Sequence, residues 1–146
     1  MTKEAGRWVE EFGRGHTGTF GGSELGCIVG GKVIDIVTRQ STVDNVHFME
    51  QYLKEGLDRV HSLYPDFFTS YTQRGIIFGL RFGVEEGGIK AMKAMCDNGI
   101  WAIYARFDPQ VVQFKPGLLC TKEYCDELLE KFEKSVKEAR DAYCGK

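Results

Sequence analysis

The chain has 146 residues, with 19 lysines and arginines against 21 aspartates and glutamates and a formal net charge of -2. A domain of this length buries about 68–70% of its unfolded surface, enough for a core without staples, and the balanced charge leaves no basic excess to hold a nucleic-acid backbone or an anionic membrane. The longest apolar runs, such as residues 99–105, fall far short of the ~20 residues that span a bilayer, and residues 1–11 lack a signal-peptide core, so the expectation is a soluble cytoplasmic protein with neither nucleic acid nor membrane as a partner.

Residues 13–22 hold five glycines in ten positions, which disfavours helix and strand alike and predicts a loop whose backbone can approach another group closely. From Ser23 to about Arg39, Leu25, Val29, Val33, Ile36 and Val37 recur at helical spacing. Ser23 is the expected N-cap and Glu24 stands in the first turn. The glycines at 26, 30 and 31 weaken this helix by about 1 kcal/mol each relative to alanine, which makes sense if a partner backbone packs against that face. A second helix is predicted over 43–63, where Val46, Met49, Leu53, Leu57, Val60 and Leu63 recur three or four residues apart and Pro65 then stops the pattern.

Residues 76–82 read as a strand, followed by a short helix that Gly87 and Gly88 open and Asn98-Gly99 closes. Strands over 101–104 and 111–114, separated by an Asp108-Pro109 turn, suit an antiparallel pair. The last helix begins at Thr121 and carries Cys125, Leu128, Leu129, Phe132, Val136, Ala139 and Tyr143 on one stripe. The order helix, helix, strand, helix, strand, strand, helix argues for an α+β fold, a small, largely antiparallel sheet with helices on one face.

The five cysteines, Cys27, Cys96, Cys120, Cys125 and Cys144, form no CxxC pair, and the three histidines lie nowhere near zinc-ligand spacing, so no metal is predicted. Cys125, on the apolar stripe of the last helix, is expected to be a buried reduced thiol. His47 and His61 read as surface residues of the second helix, and His16 as an exposed loop histidine. Phe67, Phe68, Trp101, Tyr104 and Phe107 could line an apolar pocket, but aromatic side chains in strands more often face a core or an interface. Residues 26–32 fit the GxxxxGK part of a nucleotide-binding loop. Val33 stands where a hydroxyl must hold magnesium, however, and no strand precedes the run, so nucleotide hydrolysis is rejected.

The loop 18–22 runs straight into a helix start, where exposed N–H groups attract anions. Gly18-Thr19-Phe20-Gly21-Gly22-Ser23-Glu24-Leu25 resembles the Ser-Thr-Phe/Tyr-Gly-Gly-Asn-Pro-Leu segment of class III pyridoxal-phosphate aminotransferases, the ornithine and 4-aminobutyrate aminotransferase-like enzymes. The resemblance continues through residues 73–80, similar to an Arg-Gly-x-Gly-Leu-Met-x-Gly segment, and through 112–121, similar to Ile-Arg-Phe-x-Pro-Pro-Leu-x-x-Thr.

The resemblance implies the C-terminal domain of a fold-type I transferase, preceded by a glycine-rich loop (residues 1–22) and connecting helices (23–63), with the small α+β domain over 64–146. It implies that Thr19, flanked by Gly18 and Phe20, hydrogen-bonds the phosphate of pyridoxal 5'-phosphate held by the partner of a homodimer. It implies too that the lysine carrying the cofactor lies upstream of this chain, in the chain's own large domain. No catalytic residue is assigned here, and Lys3 and Lys32 are poor candidates. The isolated chain is then expected to lack the cofactor and to be inactive.

The family arginine that commonly pairs with a substrate α-carboxylate is Gln113 here, and the second proline is Gly117. An amide offers one or two neutral hydrogen bonds where arginine offers a charged fork, a difference on the order of 1–3 kcal/mol, which puts ordinary amino-acid recognition in doubt. Gln113 is therefore either a substrate contact, for an amine or amino acid and a 2-oxo acid, or a residue that only pairs with neighbouring backbone. Arg74 is expected to be a solvated strand end or a local ion pair. Two alternatives stay open: a free-standing α+β binding or assembly module, and part of an epimerase, mutase or phospho-lyase using the same cofactor.

Overall fold

A computed structural model describes Arg7 and residues 18–144. The chain divides into two compact units, Met1–Arg39 and Gln40–Lys146. In the first, α1 (Glu24–Val37) starts where the sequence predicts it, with the Ser23 hydroxyl accepting the Gly26 N–H at 3.3 Å. None of its residues is buried, and Leu25, Ile28, Val29, Val33 and Ile34 are all more than half exposed. The GxxxxGK run lies wholly inside this helix, in the wrong setting for a phosphate-cradling loop.

The second unit is a four-stranded antiparallel sheet with helices on one face. Its elements are α2 (Gln40–Leu63), β1 (Phe68–Arg74), β2 (Ile77–Phe82), α3 (Gly87–Asp97), β3 (Ile103–Ala105), β4 (Asp108–Phe114) and α4 (Lys122–Tyr143), and the strand order is β1-β2-β4-β3. α2 begins three residues before its predicted start and ends at the predicted residue.

β1 is absent from the sequence-based order. It pairs with β2 through Ser70–Arg81, Thr72–Gly79 and Arg74–Ile77, across a two-residue connection whose Gly75 takes φ +57°. The predicted turn at Asp108-Pro109 is also corrected. The chain turns at Arg106-Phe107, and Pro109 lies within β4, before the stretch from Val111 to Phe114 that pairs with β2. A proline is tolerated there because its missing N–H is not needed by the neighbouring ladder. The strand predicted over 101–104 starts later, at Ile103.

Period-two alternation then sorts the sheet into two faces. Phe78, Leu80 and Phe82 of β2 and Val112 and Phe114 of β4 are buried under the helices, together with Met49, Leu53, Leu57 and Val60 of α2, Ala91 and Met95 of α3 and six apolar residues of α4. Phe132 of α4 sits edge-on to Phe68 at 5.6 Å and beside Phe114 at 5.7 Å, tying the last helix to the edge strand β1 and the inner strand β4. Of the predicted α4 stripe, the residues from Cys125 to Ala139 are buried, while Tyr143 is 46% exposed near the helix end.

Cys120 and Cys125 flank the Thr121 N-cap at the positions of a hydrophobic staple, and their side chains meet in the core. Ion pairs lock the helices and the loop before the sheet: Arg59 with Glu133 at 2.6 Å between α2 and α4, and Arg140 with Asp66 at 2.8 Å.

α3 packs against β4 with almost no space between the backbones. A Cβ on Gly88 would stand 2.7 Å from the Pro109 carbonyl oxygen and 2.8 Å from the Val111 nitrogen. The residue that delivers the chain into this contact, Glu86, sits in the left-handed region at φ 54°.

Candidate functional site

Gly18, Thr19 and Phe20 form an exposed turn directly before α1. The Gly21 N–H donates to the Gly18 carbonyl at 3.1 Å, the Ser23 N–H donates to the Phe20 carbonyl at 3.2 Å, and Gly22 takes φ +76°. The Thr19 hydroxyl makes no hydrogen bond to another described residue. It is an unengaged O–H donor beside a helix N-terminus, whose partial positive charge favours an anion. Ser23 has replaced the asparagine of the related segment without disturbing the start, because its hydroxyl supplies the cap. His16 and Lys3 lie outside the described residues.

Gln113 occupies the other unit, on the sheet face turned away from the helices. Its cross-strand neighbours are Gly79 of β2 and Ile103 of β3. Gln113 does not pair its amide with neighbouring backbone: Lys115 Nζ donates to its Oε1 at 2.8 Å. Lys115 has no sequence motif to announce it. The available signal is parity, since residues 113 and 115 of an extended segment share a face.

Arg81, also on this face, donates to Asp108 at 2.5 Å and to Gln110 at 3.1 Å. The Arg81 guanidinium, ahead of the Gln110 N–H, holds the Asp108 carboxyl below the usual carboxylate range. Arg74 is exposed at the strand end, with no ion pair to a described residue, as expected of a solvated end.

The aromatic residues separate. Phe67 and Phe68 are wholly buried in the core, and Tyr104 is half-buried opposite Val112. Trp101 and Phe107 depart from the core expectation at 87% and 97% exposed. Trp101 borders a shallow groove of about 240 Å³ shared with Ile100, Phe114, Pro116, Tyr124 and Leu128, whose charged lining is Lys115 together with Lys131 and Glu127, the last two paired with each other at 2.5 Å.

His47 is exposed beside Glu50, whereas His61 is half-buried rather than a free surface residue. Its Nε2 lies 3.0 Å from the Thr69 carbonyl and its ring stands edge-on to Phe68. Cys125 is buried as expected, 3.5 Å from the Met49 sulfur, and burial, with a hydrogen bond to Cys120, pushes its thiol up to about 12. Among the described residues no cluster of His, Cys, Asp or Glu has the arrangement of a metal site, and no helix is long and apolar enough to cross a membrane.

Residues 3–136 match the aminotransferase class-III family. The chain belongs to that family. Members use pyridoxal phosphate. Among the relatives of this class-III chain, an aminotransferase of Archaeoglobus fulgidus is 38% identical over 80% of the chain, and an acetylornithine aminotransferase of Synechocystis is 28% identical over 83% of it. The matched stretch makes up 27% and 28% of those proteins' lengths, so the chain spans under a third of the relatives it resembles. In three dimensions the ornithine aminotransferase of Toxoplasma gondii superposes with a TM-score of 0.75 over 92% of the chain and 32% of its own length, at 19% identity. At that identity the likeness speaks for the fold alone, and it agrees with a small antiparallel sheet covered by helices on one face.

Proposed function

We propose that this class-III chain is the C-terminal part of a pyridoxal-phosphate-dependent aminotransferase that moves an amino group from an amine or amino acid to a 2-oxo acid, working as a cytoplasmic homodimer. The observation that carries the reading is the free Thr19 hydroxyl in the turn before α1, within a chain that matches under a third of its relatives' length. The residues present fit one side of a phosphate. Thr19 would donate its O–H to a phosphate oxygen, a charge-assisted bond of the stronger kind, with Gly18 and Phe20 shaping the turn around it. The bound cofactor would supply an electron sink for the substrate's amine carbon.

The chain's own residues would orient and bind. Thr19 would fix the phosphate end of a cofactor held by the partner subunit, and Gln113 would meet the substrate. The lysine that would carry the cofactor is not assigned among the described residues; Lys32, in the middle of α1, is exposed. The proposal therefore places that lysine in a preceding large domain and assigns this chain no catalytic residue. The test is titration of the purified chain with pyridoxal phosphate, followed by borohydride reduction and mass mapping. Scattered, substoichiometric labelling is the expected result; one lysine labelled stoichiometrically would show a self-sufficient cofactor enzyme and overturn the assignment.

A further inference from the structure

Asn98 is one of two asparagines in the chain, and the one of the pair that glycine follows. It caps the end of α3, where the turn is closely bonded. The Gly99 N–H donates to the Cys96 carbonyl at 3.0 Å with Gly99 at φ +80°, and the Ile100 N–H donates to the Met95 carbonyl at 2.8 Å. The Asn98 NH2 group donates to the Ala94 carbonyl at 2.9 Å and, across to α4, to the Glu138 carboxylate at 2.7 Å. That last bond clasps the end of α3 to the final helix.

An asparagine side chain is open to attack by the backbone nitrogen that follows it, and glycine puts no side chain in the way. At ψ 12° the Gly99 nitrogen lies on the side of Asn98's own nitrogen rather than beside the Asn98 side chain, and its N–H is held by Cys96. The folded turn thus keeps the two reacting groups apart, and they meet only when the last turn of α3 opens. The bond to Glu138 is one of the contacts that opening must break.

We propose that Asn98 is a site of spontaneous deamidation, timed by Glu138, and that its product unclasps α3 from α4. The Gly99 nitrogen bonds to the Asn98 Cγ, the Cγ–Nδ2 bond breaks, and ammonia leaves with the proton that the Gly99 nitrogen gives up. Water then opens the cyclic imide at either carbonyl, leaving an aspartate or its isoaspartate isomer at position 98. One water is consumed and one ammonia released, with no oxidation or reduction. The product carries a carboxylate where the NH2 donor stood. A carboxylate only accepts, so it faces two acceptors, the Ala94 carbonyl and Glu138, the second of like charge. The nearby cations are engaged elsewhere: Lys134 stands 3.8 Å from the other Glu138 oxygen, and Lys131 is paired with Glu127. The change is one-way and loosens the connection from α3 into β3.

The test is incubation of the full chain in warm, mildly alkaline buffer, with peptide mapping by electron-transfer mass spectrometry to separate asparagine, aspartate and isoaspartate. Asn45 is the internal control, since valine follows it and its NH2 group donates to the Leu118 and Cys120 carbonyls at 3.1 Å each. Asn98 is expected to convert while Asn45 persists. Glu138→Ala should speed the conversion about fivefold, the effect of removing one exposed hydrogen bond from the closed turn, and Glu138→Gln, which keeps an acceptor, should stay within about twofold of the parent.

Glu138 is exposed, so an unchanged far-UV circular dichroism spectrum will certify the fold of both variants. Asn98→Asp should quicken hydrogen exchange at the Gly99 and Ile100 amides and leave the β1–β2 pairing unmoved. Conversion at Asn98 no faster than at Asn45, a rate that Glu138→Ala leaves unchanged, or amide exchange that Asn98→Asp does not alter would overturn the proposal. None of these outcomes bears on the cofactor reading of Thr19.

Discussion

The contact between α3 and β4 makes a quantitative prediction. Replacing Gly88 with alanine would set a Cβ 2.7 Å from the Pro109 oxygen, 2.8 Å from the Val111 nitrogen and 2.9 Å from the Gln110 carbonyl carbon. All three are backbone atoms of one strand, so no side chain can swing aside, and the helix and strand must part by several tenths of an ångström. Overpacking of this kind costs about 1–3 kcal/mol, against about 1 kcal/mol at most gained from alanine's helix propensity. Gly88→Ala should therefore lose about 1–2 kcal/mol, or roughly 2–8 °C in Tm for a chain of this size.

Gly30→Ala is the matched control, a glycine-to-alanine change within a helix where a Cβ would meet nothing within 4 Å. It should raise the helical signal of α1 and leave the unfolding of the second unit unmoved. Urea denaturation followed by far-UV circular dichroism reads both. A Gly88→Ala protein as stable as the parent, or more so, would refute the close approach of α3 to β4.

Glu86→Gly should stabilise the chain by about 1 kcal/mol, because a left-handed residue at φ 54° costs a non-glycine residue roughly that much, and the urea midpoint should rise. Alkylation by iodoacetamide under native conditions should label the exposed Cys27 and Cys96 and spare Cys125, which is buried and whose thiol is pushed up to about 12; mass spectrometry at increasing urea should show Cys125 reacting only as the domain unfolds.

Acid should weaken the fold in a defined window. The carboxyls of Asp66, Asp108 and Asp126 are held low by Arg140, by Arg81 and by Tyr52 with Lys122, and that of Asp58 by Lys54 and Tyr71. Groups with lowered folded pKa stabilise fully above the unfolded carboxylate range and lose that contribution as pH falls through their folded values. Stability should thus be flat from pH 5 to 7 and fall below about pH 4. A urea midpoint that rises between pH 4 and 3 would contradict these assignments.

The sequence carried α2 and α4 well because each buries a stripe at helical spacing. Met49, Leu53, Leu57 and Val60 predict α2 with no help from tertiary contacts, and the Thr121 cap with the stripe from Cys125 to Ala139 predicts α4. β1 escaped for a physical reason. A register shift between Phe68 and Ser70 breaks the alternation, and beyond it the core-facing positions are Tyr71 and Gln73, the latter held by its bond to the Glu50 carbonyl rather than by apolar packing. Asp108-Pro109 misled because a turn signal is local, whereas tolerance of proline depends on which neighbour lies across the strand.

The candidate site divides in the same way. Thr19 is proposed from the segment around it, and its hydroxyl makes no hydrogen bond to another described residue. Gln113 was legible as a departure from the family pattern, but its partner was not, because a lysine two residues away acquires meaning only once both side chains share a sheet face.

The most direct test of the account is retention of pyridoxal phosphate in a chimaera, with this chain replacing the matched segment of the 38%-identical Archaeoglobus fulgidus aminotransferase. Cofactor affinity would be measured for the chimaera and for its Thr19→Val and Thr19→Ser variants. Loss of a hydrogen bond to a charged phosphate is worth about 1.5–3 kcal/mol, so Thr19→Val should bind the cofactor about 10–100-fold more weakly while Thr19→Ser stays close to the parent. A folded, cofactor-binding chimaera whose affinity is the same in all three forms would contradict the claim that Thr19 holds the phosphate.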